Sequence, residues 1–251
     1  TIGGMTGNNS CGARSIRYGT MRDNVSALEA IFIDGSRHQF GLSSRDNEPN
    51  RFNRQLFDIG DKYAEEVAHR FPDVQRRVGG YNIDALARLP NGTNNLAHLL
   101  VGSEGTLAYS ERIQLHLSNI PSHKVLGVCH FPTFYAAMDS AQHIVKLGPS
   151  AVELVDRTMI ELARDIPLFR DVIGQIVVGQ PDALLLVEFS GDDFDAQLQG
   201  LKQLQELMSD LGFSGGVTEA LNPGFQKEIW EVRKSGLNIM MSMKGDGKPV
   251  S

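Results

Sequence analysis

Val125-Leu126-Gly127-Val128-Cys129-His130-Phe131 reads as a strand, and Thr133 just after it can cap a helix that runs through Leu147, where Gly148-Pro149 stops it. Residues 151–155 make a second strand, followed by a short helix through Arg164. Residues 183–189 are a third strand, a helix follows from about Phe194 to Leu211, and a last strand lies near residues 213–219. This order, β-α-β-β-α-β, is the ferredoxin-like split arrangement, in which two helices cover one face of an antiparallel sheet. The fold class expected is therefore α+β.

Toward the N-terminus, residues 25–33 form an apolar strand closed by Asp34-Gly35, the dipeptide favoured in a tight hairpin turn. Residues 106–117 form another, in which Ile113, Leu115 and Leu117 alternate with Gln114 and His116 as a half-buried strand should. Between them, residues 43–53 are almost wholly polar, after which Leu56, Ile59, Tyr63, Val67 and Phe71 recur at helical spacing and Pro72 ends the helix. Residues 43–95 thus read as an insertion that packs one amphipathic helix against the sheet. The chain divides into residues 1–119 and 120–251, with no internal repeat or low-complexity tract.

At 251 residues and 41% hydrophobic content the chain can build one large core or two modest ones. A net charge of −6 argues against a nucleic-acid surface, which needs clustered Lys and Arg to meet phosphates. No run approaches the roughly 18 apolar residues of a membrane span. Cys11 and Cys129 stand in no metal-ligand spacing and offer neither a disulfide framework nor an iron–sulfur site, so a reducing cytoplasm is the expected setting. The Asn-x-Ser/Thr triplets at Asn8, Asn24 and Asn91 read as coincidental in a chain without secretory features. His116, His123 and His130 fall on or between strands rather than along one helix face, so no metal site is expected within these residues.

The chemistry concentrates at the start of the chain. Gly3-Gly4-Met5-Thr6-Gly7-Asn8-Asn9-Ser10-Cys11-Gly12 packs glycines and short amides so densely that no continuous helix or strand is expected, since glycine carries an entropic penalty in both. The expectation is a loop whose backbone N–H groups cradle a phosphate or a flat ring. Neither GxGxxG nor GxxxxGK(S/T) is present, so neither a dinucleotide fingerprint nor a P-loop is supported. Together with Gly102-Ser103-Glu104-Gly105-Thr106, this opening reads as half of one nucleotide-cradling site.

These residues resemble the FAD-linked oxidases and dehydrogenases of the vanillyl-alcohol-oxidase, or PCMH, type, in the branch of glycolate oxidase, D-lactate dehydrogenase and D-2-hydroxyglutarate dehydrogenase. The motifs that carry the resemblance are, in order, Gly7-Asn8-Asn9-Ser10-Cys11-Gly12, Arg17-Tyr18-Gly19, the strand and turn from Glu29 to Gly35, Gly80-Tyr81-Asn82, and the run from Leu100 to Leu107. On the substrate side stand Trp230-Glu231-Val232-Arg233 and Lys244-Gly245-Asp246-Gly247-Lys248-Pro249-Val250. The resemblance implies that residues 1–119 are the C-terminal portion of a PCMH-type FAD-binding domain. Residues 120–251 would then be a ferredoxin-like cap that closes over the flavin and supplies substrate contacts, incomplete at its C-terminus.

It further implies an internal fragment. Relatives carry a first glycine-rich pyrophosphate loop before this segment and a His-x-His metal-binding and catalytic motif after it, and the larger members add a cysteine-rich iron–sulfur region. Catalytic residues, metal ion and clusters are accordingly expected beyond residue 251. The long polar insertion and the Gly245-Asp246-Gly247-Lys248-Pro249 run resemble those larger, iron–sulfur-fused members.

On the same resemblance, Gly7, Asn8, Asn9, Ser10, Cys11, Gly12, Tyr18 and Gly19, with Gly102, Ser103, Gly105 and Thr106, bind FAD non-covalently. Glycine permits close backbone approach and hydroxyls can donate to FAD oxygens, whereas Glu104 beside an anionic cofactor needs hydrogen bonds to be tolerated. Without the resemblance, residues 102–106 are a turn into the next strand, and Asn8 and Asn9 merely tolerate left-handed backbone. Covalent attachment through Cys11, known in the wider superfamily, is weighed against a small thiol buried beside glycines, and the latter is preferred. Arg233 is expected to hold the substrate carboxylate through its planar guanidinium, with Lys244 as a second ligand and Lys248 competing for that place. The plain alternative for Arg233 is a solvated charge among Glu228, Glu231 and Lys234, and Trp230 is expected in the core rather than stacked on flavin.

The whole reads as a fragment of an FAD-dependent oxidoreductase, inactive by itself. The intact enzyme would oxidise a D-2-hydroxy acid of the lactate, glycolate or 2-hydroxyglutarate class by hydride transfer to flavin N5, the electrons passing to an acceptor other than NAD. The partners implied are that small molecule and an electron acceptor, with no nucleic acid; peripheral membrane association of the full-length protein and its oligomeric state stay open. The alternative is a cofactor-free structural or interaction module.

Overall fold

A computed structural model describes residues 1–46, 48–74, 76–236 and 238. The chain parts into two compact units, Thr1–Asn119 and Ile120–Ser251.

The first unit opens with three short helices, α1 (Ile2–Gly7), α2 (Ser15–Tyr18) and α3 (Met21–Asn24). Strand β1 (Val25–Ile31) turns at Asp34-Gly35 into β2 (Arg37–Phe40), with Leu28 opposite Phe40. Gly35 supplies the left-handed φ of 81° that the tight turn requires. There follow β3 (Leu42–Ser44), α4 (Arg51–Lys62), α5 (Ala64–Arg70), β4 (Thr93–Asn95), α6 (Ala97–Leu100) and β5 (Tyr109–Leu115). β5 returns antiparallel to β1, giving the order β2-β1-β5, and β3 pairs with β4 in a separate ribbon. Leu28, Phe40, Leu56, Phe57, Leu86, Leu96 and Leu100 fill the core.

One helix is expected from the spacing of residues 56–71, and two form. The chain leaves helical geometry at Tyr63 (φ −107°, ψ 11°), and α4 starts earlier than its apolar pattern because the Asn50 side chain accepts from the Phe52 amide at 2.8 Å. Only α4 turns an apolar face inward; Leu56 and Phe57 are buried, and the Phe52 ring meets Phe32 and Phe40 at centroid distances of 5.6 and 6.1 Å. No residue of α5 is buried, and Phe71 instead carries the Arg77 guanidinium 4.3 Å above its ring. α4 passes so close to the 3-10 turn Ile83–Leu86 that a Cβ at Gly60 would lie 2.2 Å from the Leu86 carbonyl oxygen. The buried Arg45 side chain locks this crossing by donating to that same carbonyl and to Asp61 at 2.7 Å.

The second unit runs β6 (His123–Phe131), α7 (Phe134–Ile144), β7 (Ala151–Asp156), α8 (Arg157–Asp165), α9 (Pro167–Ile176), β8 (Ala183–Gly191), α10 (Phe194–Asp210), β9 (Val217–Ala220) and α11 (Pro223–Lys234). The strands are antiparallel in the order β7-β8-β6-β9, the ferredoxin-like arrangement of an α+β fold. Thr133 caps α7 by accepting from the Ala136 amide at 3.1 Å. α7 and α10 cover one face, over Val125, Cys129, Leu185, Val187 and Phe189. The opposite face is covered too, by α8, α9 and α11, whose Met159, Ile173 and Ile229 pack on Leu126, Val128, Leu184 and Leu186. β8 is consequently buried at every position from Ala183 to Ser190, which explains its unbroken apolar run. β9 starts at Val217 rather than residue 213, because Gly212 and Gly215 take φ of 89° and 70° while Phe213 packs edge-on against Phe131 at 5.1 Å.

Gly60→Ala is expected to destabilise the first unit by about 1–3 kcal/mol, the usual loss on overpacking. Gly174→Ala in α9, where an added Cβ meets nothing within 4 Å, should instead gain about 0.5–1 kcal/mol; denaturant unfolding of both variants checks the contrast. Burial pushes the Cys129 thiol up to about 12, whereas Cys11 is exposed. A maleimide at about pH 8 should label Cys11 alone in the folded protein and both thiols in denaturant; rapid labelling of both under native conditions would contradict the core placement of Cys129.

Candidate functional site

The loop expected at the N-terminus is corrected by the structure, since residues Ile2–Gly7 close into α1 in spite of Gly3, Gly4 and Gly7. Inside the helix, Thr1 Oγ1 accepts from the Gly4 amide at 3.1 Å and Thr6 Oγ1 donates to the Ile2 carbonyl at 3.0 Å. From outside, the Gly102 and Glu104 amides donate to the Thr6 and Gly7 carbonyls, both at 2.9 Å. The Gly7 carbonyl would otherwise lack a donor and that of Thr6 would keep only the long 3.3 Å bond from the Asn9 amide, so a tertiary contact overrides the low helical propensity of glycine. The loop proper begins only at Asn8.

The same two bonds join the two glycine-bearing stretches into one surface. Asn9 is fully buried in left-handed backbone (φ 49°), its Oδ1 accepting from the Arg22 amide at 2.9 Å. Gly102, Glu104 and Gly105 are also left-handed, at φ 83°, 52° and 77°. Ser103 turns inward and donates to the Leu100 carbonyl at 2.8 Å. Asn8, Cys11, Gly12, Glu104, Gly105 and Thr106 face outward, and the Tyr81 hydroxyl lies 2.8 Å from Thr106 Oγ1. A Cβ at Gly12 or Gly105 would meet nothing within 4 Å, so the space before them is open and only the backbone angle restricts Gly105 to glycine. Along residues 8–12 and 102–106 the Cys11 and Gly105 amides alone lack an acceptor among the described residues, the others donating within the loops, as Gly12 does to Ser15 Oγ at 2.9 Å, so the surface fits the close approach of a flat ring such as flavin rather than a nest of free donors.

Cys11 is exposed, against the expectation of a buried thiol. The Ser10 amide and carbonyl are turned inward, to Met5 and from Met21 at 2.9 Å each, which leaves Cys11 on the rim. Ser10 Oγ donates to Asn8 Oδ1 at 2.6 Å. Tyr18 is half-buried beneath the Arg17 guanidinium, 5.5 Å from its ring centroid. Gly19 (φ 72°) ends α2 where a Cβ would lie 2.6 Å from Asp23 Oδ2, the carboxylate that accepts from the Thr20 amide to start α3.

Behind this surface stands a polar cluster that sequence reasoning missed. Asn82, 1% exposed, donates from Nδ2 to the Val101 and His98 carbonyls at 2.8 and 3.2 Å, and its Oδ1 accepts from Arg22 and Arg77, each at 3.2 Å. Both arginines also pair with Asp84. Burial pushes the Asp84 carboxyl up, but the Arg22 hydrogen bond and charge, with those of Arg77, outweigh it and hold the group below its ordinary value. Burial, followed by the Arg22 charge, holds the His98 imidazole below its usual range. The Gly80-Tyr81-Asn82 triplet is the one local signal of this cluster; Arg22 and Asp84, 62 positions apart, leave none.

In the second unit, α11 presents Arg233. The Asn222 side chain caps the helix, and Gln226 fastens it to the sheet by donating to the Lys124 and Ala220 carbonyls at 2.9 and 2.8 Å. Trp230 packs on the core and donates Nε1 to the buried Glu188 of β8 at 3.1 Å. Arg233 reaches the sheet while its side chain stays partly exposed: Nη2 pairs with Glu153 of β7, and the buried Nε has no acceptor among the described residues. The solvated pair on this helix is instead Glu231 with Lys234, at 2.8 Å. Lys244 and Lys248 lie outside the described residues. Among the described residues no three His, Cys, Asp or Glu side chains gather as metal ligands, and no helix is long and apolar enough to cross a membrane.

Residues 120–251 match the family of FAD linked oxidases, C-terminal domain. The chain is 26% identical to the D-2-hydroxyglutarate dehydrogenase of Pantoea ananatis, an alignment that covers 100% of this chain and 26% of that protein. It is 28% identical to the mitochondrial D-lactate dehydrogenase (cytochrome) of Arabidopsis thaliana, over 94% of this chain and 33% of that one. Among solved structures, alkyldihydroxyacetonephosphate synthase superposes with a TM-score of 0.54 at 16% identity, over 94% of this chain and 36% of that one, a likeness of fold alone. The chain spans about a quarter to a third of the length of these curated relatives. With over half of its length matched, the chain belongs to the FAD-linked oxidases, and its second unit is that family's C-terminal domain.

Proposed function

We propose that the whole protein is an FAD-dependent oxidoreductase that oxidises a D-2-hydroxy acid and passes the electrons to an acceptor other than NAD. The observation that carries this reading is the closure of Thr6 and Gly7 onto Gly102 and Glu104 by two backbone hydrogen bonds. It makes one open, glycine-bearing surface, with the Cys11 and Gly105 amides uncommitted among the described residues, in a chain whose other unit is an FAD-linked oxidase domain. The substrate class is supported by the relatives, which bear the names of D-2-hydroxyglutarate and D-lactate dehydrogenases.

FAD, held by the backbone of residues 7–12 and 102–106, would supply the two-electron redox chemistry for oxidation of the hydroxy acid. The chain's own residues bind and orient. Backbone along residues 7–12 and 102–106 would let the cofactor approach closely, and the Tyr81 hydroxyl, which donates to Thr106 Oγ1 while that hydroxyl donates to the Ser103 carbonyl at 2.5 Å, would be left to accept a hydrogen bond from it. Arg233 holds the substrate carboxylate, for which a planar guanidinium with an unfilled buried Nε is suited, and Lys244 is proposed as a second ligand.

The whole protein, purified after incubation with FAD, should show the visible absorbance of bound flavin, and Gly105→Val, which forces a β-branched side chain to φ 77°, should strip it of most of that colour. A protein that stays colourless sinks the reading. Arg233→Ala should raise KM for the hydroxy acid about 30- to 100-fold, the loss of a charge-assisted hydrogen-bonded pair, with FAD content intact; steady-state kinetics beside a flavin assay separate the two effects.

A further inference from the structure

We propose that Glu153 is an internal stand-in for the substrate's carboxylate, an anion already seated on Arg233 that the substrate must displace, and therefore a residue that sets affinity for the hydroxy acid. This rests on the reading of Arg233 as the carboxylate anchor. Glu153 stands on β7 opposite Leu186, a residue of the sheet face that α11 covers, and its carboxylate reaches Arg233 Nη2 with Oε1 alone. Arg233 Nε is buried and finds no acceptor among the described residues.

A guanidinium presents Nε–H and Nη2–H side by side along one edge, and a carboxylate facing that edge gives each an oxygen. Glu153, tethered to a strand whose register is fixed, fills only one. A free carboxylate in its place fills both and relieves a buried donor that the resting pair leaves unpaired. Trading one carboxylate for another keeps the local charge balanced, so Arg233 is never left as a partly buried cation without a counter-charge. The pair is also within reach of solvent, with side chains 38% exposed for Arg233 and 20% for Glu153, so a small anion can arrive and Glu153 can retreat to water. Neighbouring carboxylates are engaged elsewhere: Glu188 accepts from Trp230, and Glu231 pairs with Lys234.

The test uses the FAD-loaded whole protein, with D-lactate and D-2-hydroxyglutarate as the probe substrates. Glu153→Gln keeps the side chain's shape and one oxygen but removes the competing charge, and is expected to lower KM about three- to ten-fold, with the gain in KM rather than in kcat. Glu153→Asp, which withdraws the carboxylate by one methylene, should shift KM the same way by less, and it serves if the glutamine variant does not fold. If KM is unchanged or raised in the Glu153 variants while Arg233→Ala raises it steeply, Glu153 braces Arg233 rather than competing for it, and the inference fails with the proposed function intact. If Arg233→Ala leaves KM unaltered, or neither acid is turned over by the unmodified protein, the reading of Arg233 falls and takes the inference with it.

Discussion

Two backbone hydrogen bonds, from the Gly102 amide to Thr6 and from the Glu104 amide to Gly7, hold the first unit's cradle closed, and its other features follow from them. A six-residue helix containing Gly3, Gly4 and Gly7 has no stability of its own, because nucleation is unfavourable and glycine makes it worse. External donors at its C-terminal carbonyls let it persist. Donating those amides, in turn, bends the partner loop into successive left-handed residues, which is why glycine stands at 102 and 105. Asn9 and Asn82 brace the junction from within, each with its side-chain oxygen turned to Arg22.

The second unit solves a different problem, that of burying a sheet on both faces while keeping charge beside it. Because helices cover both sides, every polar group on β8 must find a partner inside. Glu188 finds one in Trp230, which seats α11, and α11 in turn aims Arg233 at Glu153. The pose of the arginine is thus set by the packing of its helix.

What was legible in the sequence was what local chemistry decides. The strand at Val125, the cap at Thr133, the Asp34-Gly35 turn and the order of the second unit's elements each rest on residues adjacent in the chain. The second covering layer is foreshadowed only by the non-alternating run Ala183-Leu184-Leu185-Leu186-Val187, which fits a strand buried on both faces but, by periodicity alone, is not told from a buried helix segment. α1 was misread because its stabilising donors lie far along the chain, and propensity reasoning sees only neighbours. The periodicity across Tyr63 suggested one helix because Val67 and Phe71 keep the spacing without a core to face. Glu153 and Arg233, 80 positions apart, form no motif, so the partner of the most functionally suggestive arginine left no local trace.

The three-stranded sheet of the first unit has its central strand paired on one side to a near neighbour in sequence and on the other to a distant one. Leu28 meets Phe40 across a tight turn, whereas the Ser26 hydroxyl reaches the Gln114 carbonyl across 88 positions. Closing so long a loop is entropically unfavourable and slow compared with hairpin formation. As the chain leaves the ribosome, β1 and β2 can pair well before β5 exists, and one edge of β1 is then bare. A bare apolar edge is a template for any other strand, including the same strand of another nascent copy. The interval between synthesis of residue 31 and residue 109 is therefore when this chain is most exposed to misassembly.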